Sequence, residues 1–185
     1  MTAIEASEQL ENYLQKAKII HLPGVDLETG LYSCVMQLES EHDPPVPLEG
    51  QVFFFSQCAE VRSYYGEQVS ACLRSTSHRA ELLELINYIN ARVFPYYEAD
   101  CSSGAQTLFT PRFYLTADSG SDLTVTAIID YRIWELYSDE LFEYAANYSP
   151  RLLDKLAVPL FGLLTERTSL EGAIRYIDHY MIGES

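Results

Sequence analysis

RAELLELINYINARV, residues 79–93, carries a single apolar stripe. Leu82, Leu85, Ile86, Ile89 and Val93 recur at steps of three and four residues, while Glu81, Glu84 and Arg92 fall off the stripe. That period predicts an amphipathic helix. Ser75, Thr76 and Ser77 offer capping oxygens ahead of it, and Pro95 stops it. Because a helix with one apolar face must lie against something, the segments on either side decide the fold.

Downstream, residues 109–117 and 123–134 alternate with a period of two. Phe113 and Leu115 oppose Arg112, Tyr114 and Thr116; Leu123, Val125, Ala127, Ile129 and Tyr131 oppose Thr124, Thr126, Ile128, Asp130, Arg132 and Trp134. Asp118-Ser119-Gly120-Ser121 supplies the turn, so the pair reads as a β-hairpin. If Phe113, Val125 and Ile129 face the helices, then Tyr114, Ile128 and Trp134 lie on the opposite sheet face. Large apolar groups there suit a dimer or partner surface, and a second covering helix would suit them equally. These three are the candidate site residues, as a protein interface.

Upstream, residues 3–18 have helical spacing through Leu10, Tyr13, Leu14 and Ala17, and Pro23-Gly24 closes off any helix. Tyr32, Cys34, Met36 and Leu38 alternate with Ser33, Val35, Gln37 and Glu39 as one half-buried strand. After the proline-rich loop 40–50, Phe53 to Tyr65 reads as two more strands joined by a tight turn. Beyond Ser138 the pattern is helical, with a bend expected at Ser149-Pro150, a kink at Pro159, and a capping-box spacing at Thr168 and Glu171. The expected architecture is α+β: a twisted antiparallel sheet of about five strands, in the order α-β-β-β-α-β-β-α-α. With 185 residues and no linker or repeat, a single domain is expected.

Charge narrows the function classes. Twenty-seven acidic residues against 12 basic ones give a formal charge of −15. That field repels nucleic-acid phosphates and anionic lipid, so neither is an expected partner. No apolar run reaches the roughly 18 residues of a membrane span. MTAIEASEQLENYLQ lacks a basic start and an apolar stretch, so a cytoplasmic location is expected. Cys34, Cys58, Cys72 and Cys101 include no CxxC pair and read as reduced thiols, Cys34 in the core.

No nucleotide-binding glycine pattern, GxSxG elbow or HExxH appears. His42 sits among Glu39, Glu41 and Asp43, and Asp118 with Asp122 mimics part of a calcium loop. Neither set has the spacing of a fixed first shell, so no metal and no other cofactor is expected. His78 stands at a helix start, where an imidazolium would oppose the dipole, so a neutral surface histidine is expected. His179 lies near the C-terminus, where fraying is expected. Asn87 and Asn90 could bind a peptide or ligand through their amides; helix termination for Asn90, and a loop contact for Asn87, is the simpler role.

The helix at residues 82–91, Leu-Leu-Glu-Leu-Ile-Asn-Tyr-Ile-Asn-Ala, resembles that of the YbjN-type family of bacterial proteins. Ile86-Asn87-Tyr88-Ile89-Asn90, the 109–134 hairpin, Leu160-Phe161-Gly162 and Ser169-Leu170-Glu171-Gly172-Ala173 occupy the family's places over residues 79–178. These are packing motifs. The long 96–107 loop and Ser149-Pro150 depart from the pattern. The resemblance implies a fold like the type III secretion chaperones, in a cytoplasmic, often dimeric protein that binds a partner or acts in regulation. It implies no catalytic residues. A non-enzymatic protein-binding module is therefore the expected function, with a protein client or a second copy as partner. The alternative is a small-molecule sensor or enzyme with a pocket between sheet and C-terminal helices.

Overall fold

The computed structural model describes residues 1–42, 45–96, 109–116 and 122–183. Helix α1 (Ala3–Ala17) opens on a capping box. The Glu5 N–H donates to Thr2 Oγ1 at 3.2 Å, and the Thr2 N–H donates to Glu5 Oε2 at 2.7 Å. Two donors that a helix start leaves orphaned are thereby satisfied.

Strands β1 (His21–Val25), β2 (Tyr32–Leu38), β3 (Leu48–Phe54) and β4 (Cys58–Tyr65) then run as an antiparallel meander. Helices α2 (Glu67–Ser75) and α3 (Arg79–Tyr96) lead to β5 (Arg112–Leu115) and β6 (Leu123–Asp130). β6 inserts beside β4 and leaves β5 at the edge, giving the order β1-β2-β3-β4-β6-β5 with every pairing antiparallel. Helices α4 (Tyr131–Leu136) and α5 (Ser138–Glu143), a π-helical turn (Tyr144–Tyr148), α6 (Ser149–Leu164), α7 (Leu170–Ile177) and a last π turn (Asp178–Ile182) complete the chain. The α+β class and the overall order match the expectation.

Several local features differ from it: α3 runs through Pro95 to Tyr96, β3 begins at Leu48 inside the expected loop, and three further differences bear on the site. The sheet has six strands, because HLPGV forms β1 on the edge of β2. An edge position tolerates proline, whose missing N–H costs a central strand a ladder bond. A short helix, α2, precedes the predicted one and starts at Gly66 without a side-chain cap. Finally, β6 stops at Asp130, whose carboxylate accepts from the Arg132 N–H at 2.9 Å and caps α4. Trp134 is therefore on a helix rather than on the outward register of a strand.

The buried apolar residues of the core strands fall on one face. Cys34, Val52, Val61 and Ala127 lie in one cross-strand row, and Met36, Gly50, Ser63, Val125 and Phe113 in the next. α1 covers β2 and β3 from this side, α6 covers β3, β4 and β6, and α3 lies along β5. Gly50 leaves room here for the ends of Met36 and Leu38: a Cβ would stand 2.9 Å from Met36 Cε and 3.1 Å from Leu38 Cδ1. Trp134, fully buried, closes one end against Phe54, Tyr131 and Phe142, and its Nε1–H donates to Gln9 Oε1 at 3.1 Å. The bend expected at Ser149-Pro150 becomes a wider turn: the Ser149 N–H reaches back to Tyr144 O, and the chain enters α6 still helical. The Ser149 hydroxyl then donates to Ser63 Oγ at 2.9 Å inside the core.

Asn90 acts like one extra strand residue. Its Oδ1 accepts the Phe113 N–H at 2.9 Å and its Nδ2 donates to Phe113 O at 2.7 Å, occupying the outer edge of β5. A covered edge cannot template pairing with another chain. Asn90→Ala would strand both Phe113 groups, and unfolding in urea should show a loss of about 1–3 kcal/mol. Asn90→Asp, which cannot donate to the Phe113 carbonyl, should lose at least as much. A change near zero in both variants would show that the amide holds nothing.

Candidate functional site

Two regions are built in a way that could meet another molecule: the outer sheet face, and a cleft among the C-terminal helices.

Outward-pointing residues of the sheet form rows of their own. Tyr64, Thr124 and Tyr114 stand side by side, as do Gln51, Arg62, Thr126 and Arg112. No apolar residue of this face belongs to the core cluster. Its order comes instead from neighbouring strands. Arg62 donates to Glu60 Oε2 at 2.9 Å and stacks over Phe53 at 4.8 Å; the Thr126 hydroxyl donates to Glu60 Oε1 at 3.1 Å. Thr124 and Thr126 are buried between these longer side chains. Burial first, and then the hydrogen-bonded Glu49 carboxylate, push the Tyr64 hydroxyl well above the usual phenol range.

Of the three residues predicted for this face, the structure brings two there. Tyr114 pairs with Thr124 and points outward, and Ile128 is 67% exposed. Trp134 is excluded: it is wholly buried in the aromatic cluster, because the Asp130 cap turns the chain into a helix before the strand could carry it outward. Phe53 and the Glu60–Arg62 pair belong to the face and were not singled out from the sequence. Only the register, which sets Phe53 opposite Glu60 and Glu60 opposite Ile128, reveals them as neighbours.

The second region is a cleft of about 540 Å³ between α6, α7 and the chain around His42 and Val46. Ala157, Gly162, Gly172 and Ala173 leave the space; Val158, Phe161 and Tyr176 wall it. The glycines matter for close approach. A Cβ on Gly172 would meet Thr168 Oγ1 at 2.2 Å, and one on Gly162 would meet Thr168 Cγ2 at 2.9 Å, so Thr168 could not tuck in between the helices. A pocket among the C-terminal helices thus exists, but its described lining includes neither a strand residue nor Asn87.

Polar groups that suggest chemistry are arranged structurally. The carboxylate of Asp154, buried on α6, accepts from the Ser40 hydroxyl at 2.6 Å and the Glu41 N–H at 2.9 Å. His42 Nε2 lies 2.8 Å from Asp154 O. Ser40, His42 and Asp154 thus meet, but the serine hydroxyl donates to the carboxylate instead of to the imidazole, so the three do not form a Ser-His-Asp relay. Asp154 instead staples the loop after β2 to α6. Among the described residues no three of His, Cys, Asp and Glu converge as metal ligands. Asp118, Asp43 and Cys101 lie outside the described residues.

His78 differs from its expectation. Glu166, at 3.1 Å from Nε2, raises its pKa above the ordinary 6.5, with Glu81 assisting. The two carboxylates outweigh the desolvation that would lower it. Because the folded value is raised, the contact stabilises the fold below pH 6.5 and fades as pH climbs through the raised value. The stability gap between the wild type and His78→Gln should be widest on the acid side of that window and close on the alkaline side; a gap that does not move with pH would rule the pair out.

No family model, curated protein or solved structure matches this chain.

Thiol reactivity provides a separate check on the fold. Burial pushes the Cys34 thiol up to about 11, while Cys72 is exposed. Since the thiolate is the reactive species, iodoacetamide on the native protein should label Cys72 and spare Cys34 until denaturant is added. Equal labelling rates, mapped by mass spectrometry, would contradict a closed core at β2.

Proposed function

We propose that this chain is a non-catalytic protein-binding module, chaperone-like or regulatory, that works through the outer face of its sheet and pairs there with a second copy of itself. One observation carries the reading: this face is close to neutral on a strongly acidic molecule. Glu49, Glu60 and Asp130 are set against Arg62 and Arg112 in its rows, around the exposed Ile128, whereas the whole chain carries −15. Two copies repel over most of their surfaces, and least where charges of both signs alternate. A face bearing both signs is also self-complementary across a two-fold axis.

Preorganisation supports the same reading. The Glu60–Arg62–Phe53–Thr126 network holds its side chains before any partner arrives, so little rotamer freedom is lost on contact. With Asn90 closing the β5 edge, lateral strand addition there is blocked, and contact through the face is favoured over edge pairing. The YbjN-type resemblance of residues 79–178, with its often dimeric members, points the same way. The proposal places the protein in the cytoplasm, where Cys34, Cys58 and Cys72 stay as free thiols. Among the described residues no helix is long and apolar enough to cross a membrane.

Sedimentation velocity at physiological salt should show a dimer. Ile128→Asp, at a position 67% exposed, should leave the far-UV spectrum unchanged and weaken the dimer about tenfold or more. A monomer at every soluble concentration would overturn self-pairing, and a dimer indifferent to Ile128→Asp would move it to another surface.

A further inference from the structure

We propose that the cleft between α6 and α7 binds a small amphipathic carboxylate of the medium-chain fatty acid class, its tail in the apolar interior and its head on Arg167. The site is separate from the sheet face and does not depend on the self-pairing reading.

The first argument is shape. At about 540 Å³, the space falls within the roughly 300–1,000 Å³ typical of small-molecule pockets. Its interior is apolar because two consecutive helices face each other there with alanines and glycines. Val158, Phe161 and Tyr176 supply walls against which a hydrocarbon chain would shed water. An extended protein segment would need a longer groove, and His42 and Val46 line this one on a third side.

The second argument is charge. On a chain with 27 acidic residues, the described lining of this cleft holds no carboxylate. It holds Arg167, whose guanidinium has no ion-pair partner among the described residues. Its neighbours' charges are already engaged: Glu166 with His78, Glu171 with Arg175. Lys155 also lies close enough to act on the Tyr176 hydroxyl, adding positive potential on that wall. His42 contributes little to the choice of head group, since its Nε2 faces the Asp154 carbonyl. A guanidinium with no ion-pair partner among the described residues, at an apolar cleft, selects a ligand with one anionic end.

The position of Arg167 is itself determined by the fold. After α6, Glu166 takes a left-handed φ of 59°, and the N–H groups of Arg167 and Thr168 both donate to Gly162 O, at 2.8 and 3.1 Å. The chain therefore doubles back over Gly162 and presents Arg167 at the cleft.

Dodecanoate is the probe, with dodecylamine and dodecanol as head-group controls, read by titration calorimetry on the full chain below the micellar range. One dodecanoate per chain is expected, with the amine and the alcohol binding much more weakly. Arg167→Ala, at an exposed position, should weaken dodecanoate about tenfold. Val158→Trp, at a wall position 42% exposed, should fill the cleft and abolish binding while leaving the fold intact by circular dichroism. Ile128→Asp should bind as the wild type does, which separates this result from that of the sheet face. The absence of dodecanoate binding, indifference to Val158→Trp, or equal binding of amine and carboxylate would each overturn the proposal.

Discussion

A six-stranded sheet that buries its core side chains on one face only constrains everything else in this molecule. Each strand alternates, and the cross-strand rows keep Cys34, Val52, Val61 and Ala127 in phase across four strands. A slip of one residue in any strand would move its apolar set to the wet side. The helices supply the cover: α1 over β2 and β3, α6 over β3, β4 and β6, and α3 along the β5 edge. Burial on one side leaves the other side to be ordered by its own side chains, and that is where Glu60, Arg62, Phe53 and Thr126 knit together.

Edges and ends follow from the same constraint. At one edge, β1 carries Pro23 where no further strand needs its N–H. At the other, Asn90 reaches from α3 to satisfy Phe113 as a neighbouring strand would. Asp130 ends β6 and starts α4, and this single cap swings Trp134 from the sheet into the aromatic cluster with Phe54 and Phe142. The polar bonds in these places are short-range, yet each sets where a large apolar group is buried.

Much of the fold was legible in the residue pattern. The α3 stripe, the β5–β6 alternation and the β2 alternation all reflect local periods that burial enforces, and Phe113, Val125 and Ile129 do face the core. What escaped was non-local or terminal. β1 is five residues containing Pro23-Gly24, whose strand character comes only from pairing with β2. The extent of β6 depended on one carboxylate cap competing with a continuing alternation. For the candidate sites, the outward direction of Tyr114 and Ile128 was readable, while Phe53 and Glu60 became their neighbours only through cross-strand register. The cleft was less legible still: it is made by what Gly162, Gly172, Ala157 and Ala173 lack, and an absence of side chain has no period.

By itself, then, the sequence determined the class of architecture, the faces of its periodic elements and the acidity of its surface, since each is a property of neighbours along the chain. Tertiary structure alone decided that Trp134 is core, that Asn90 seals an edge, that Ser40, His42 and Asp154 form a staple, and that Arg167 stands at an apolar cleft. Those outcomes depend on groups up to 125 residues apart, as Gln9 and Trp134 are. Which of them meet is settled by the packing of helices on one sheet face, where the gain from burying area together outweighs the preference of any short segment.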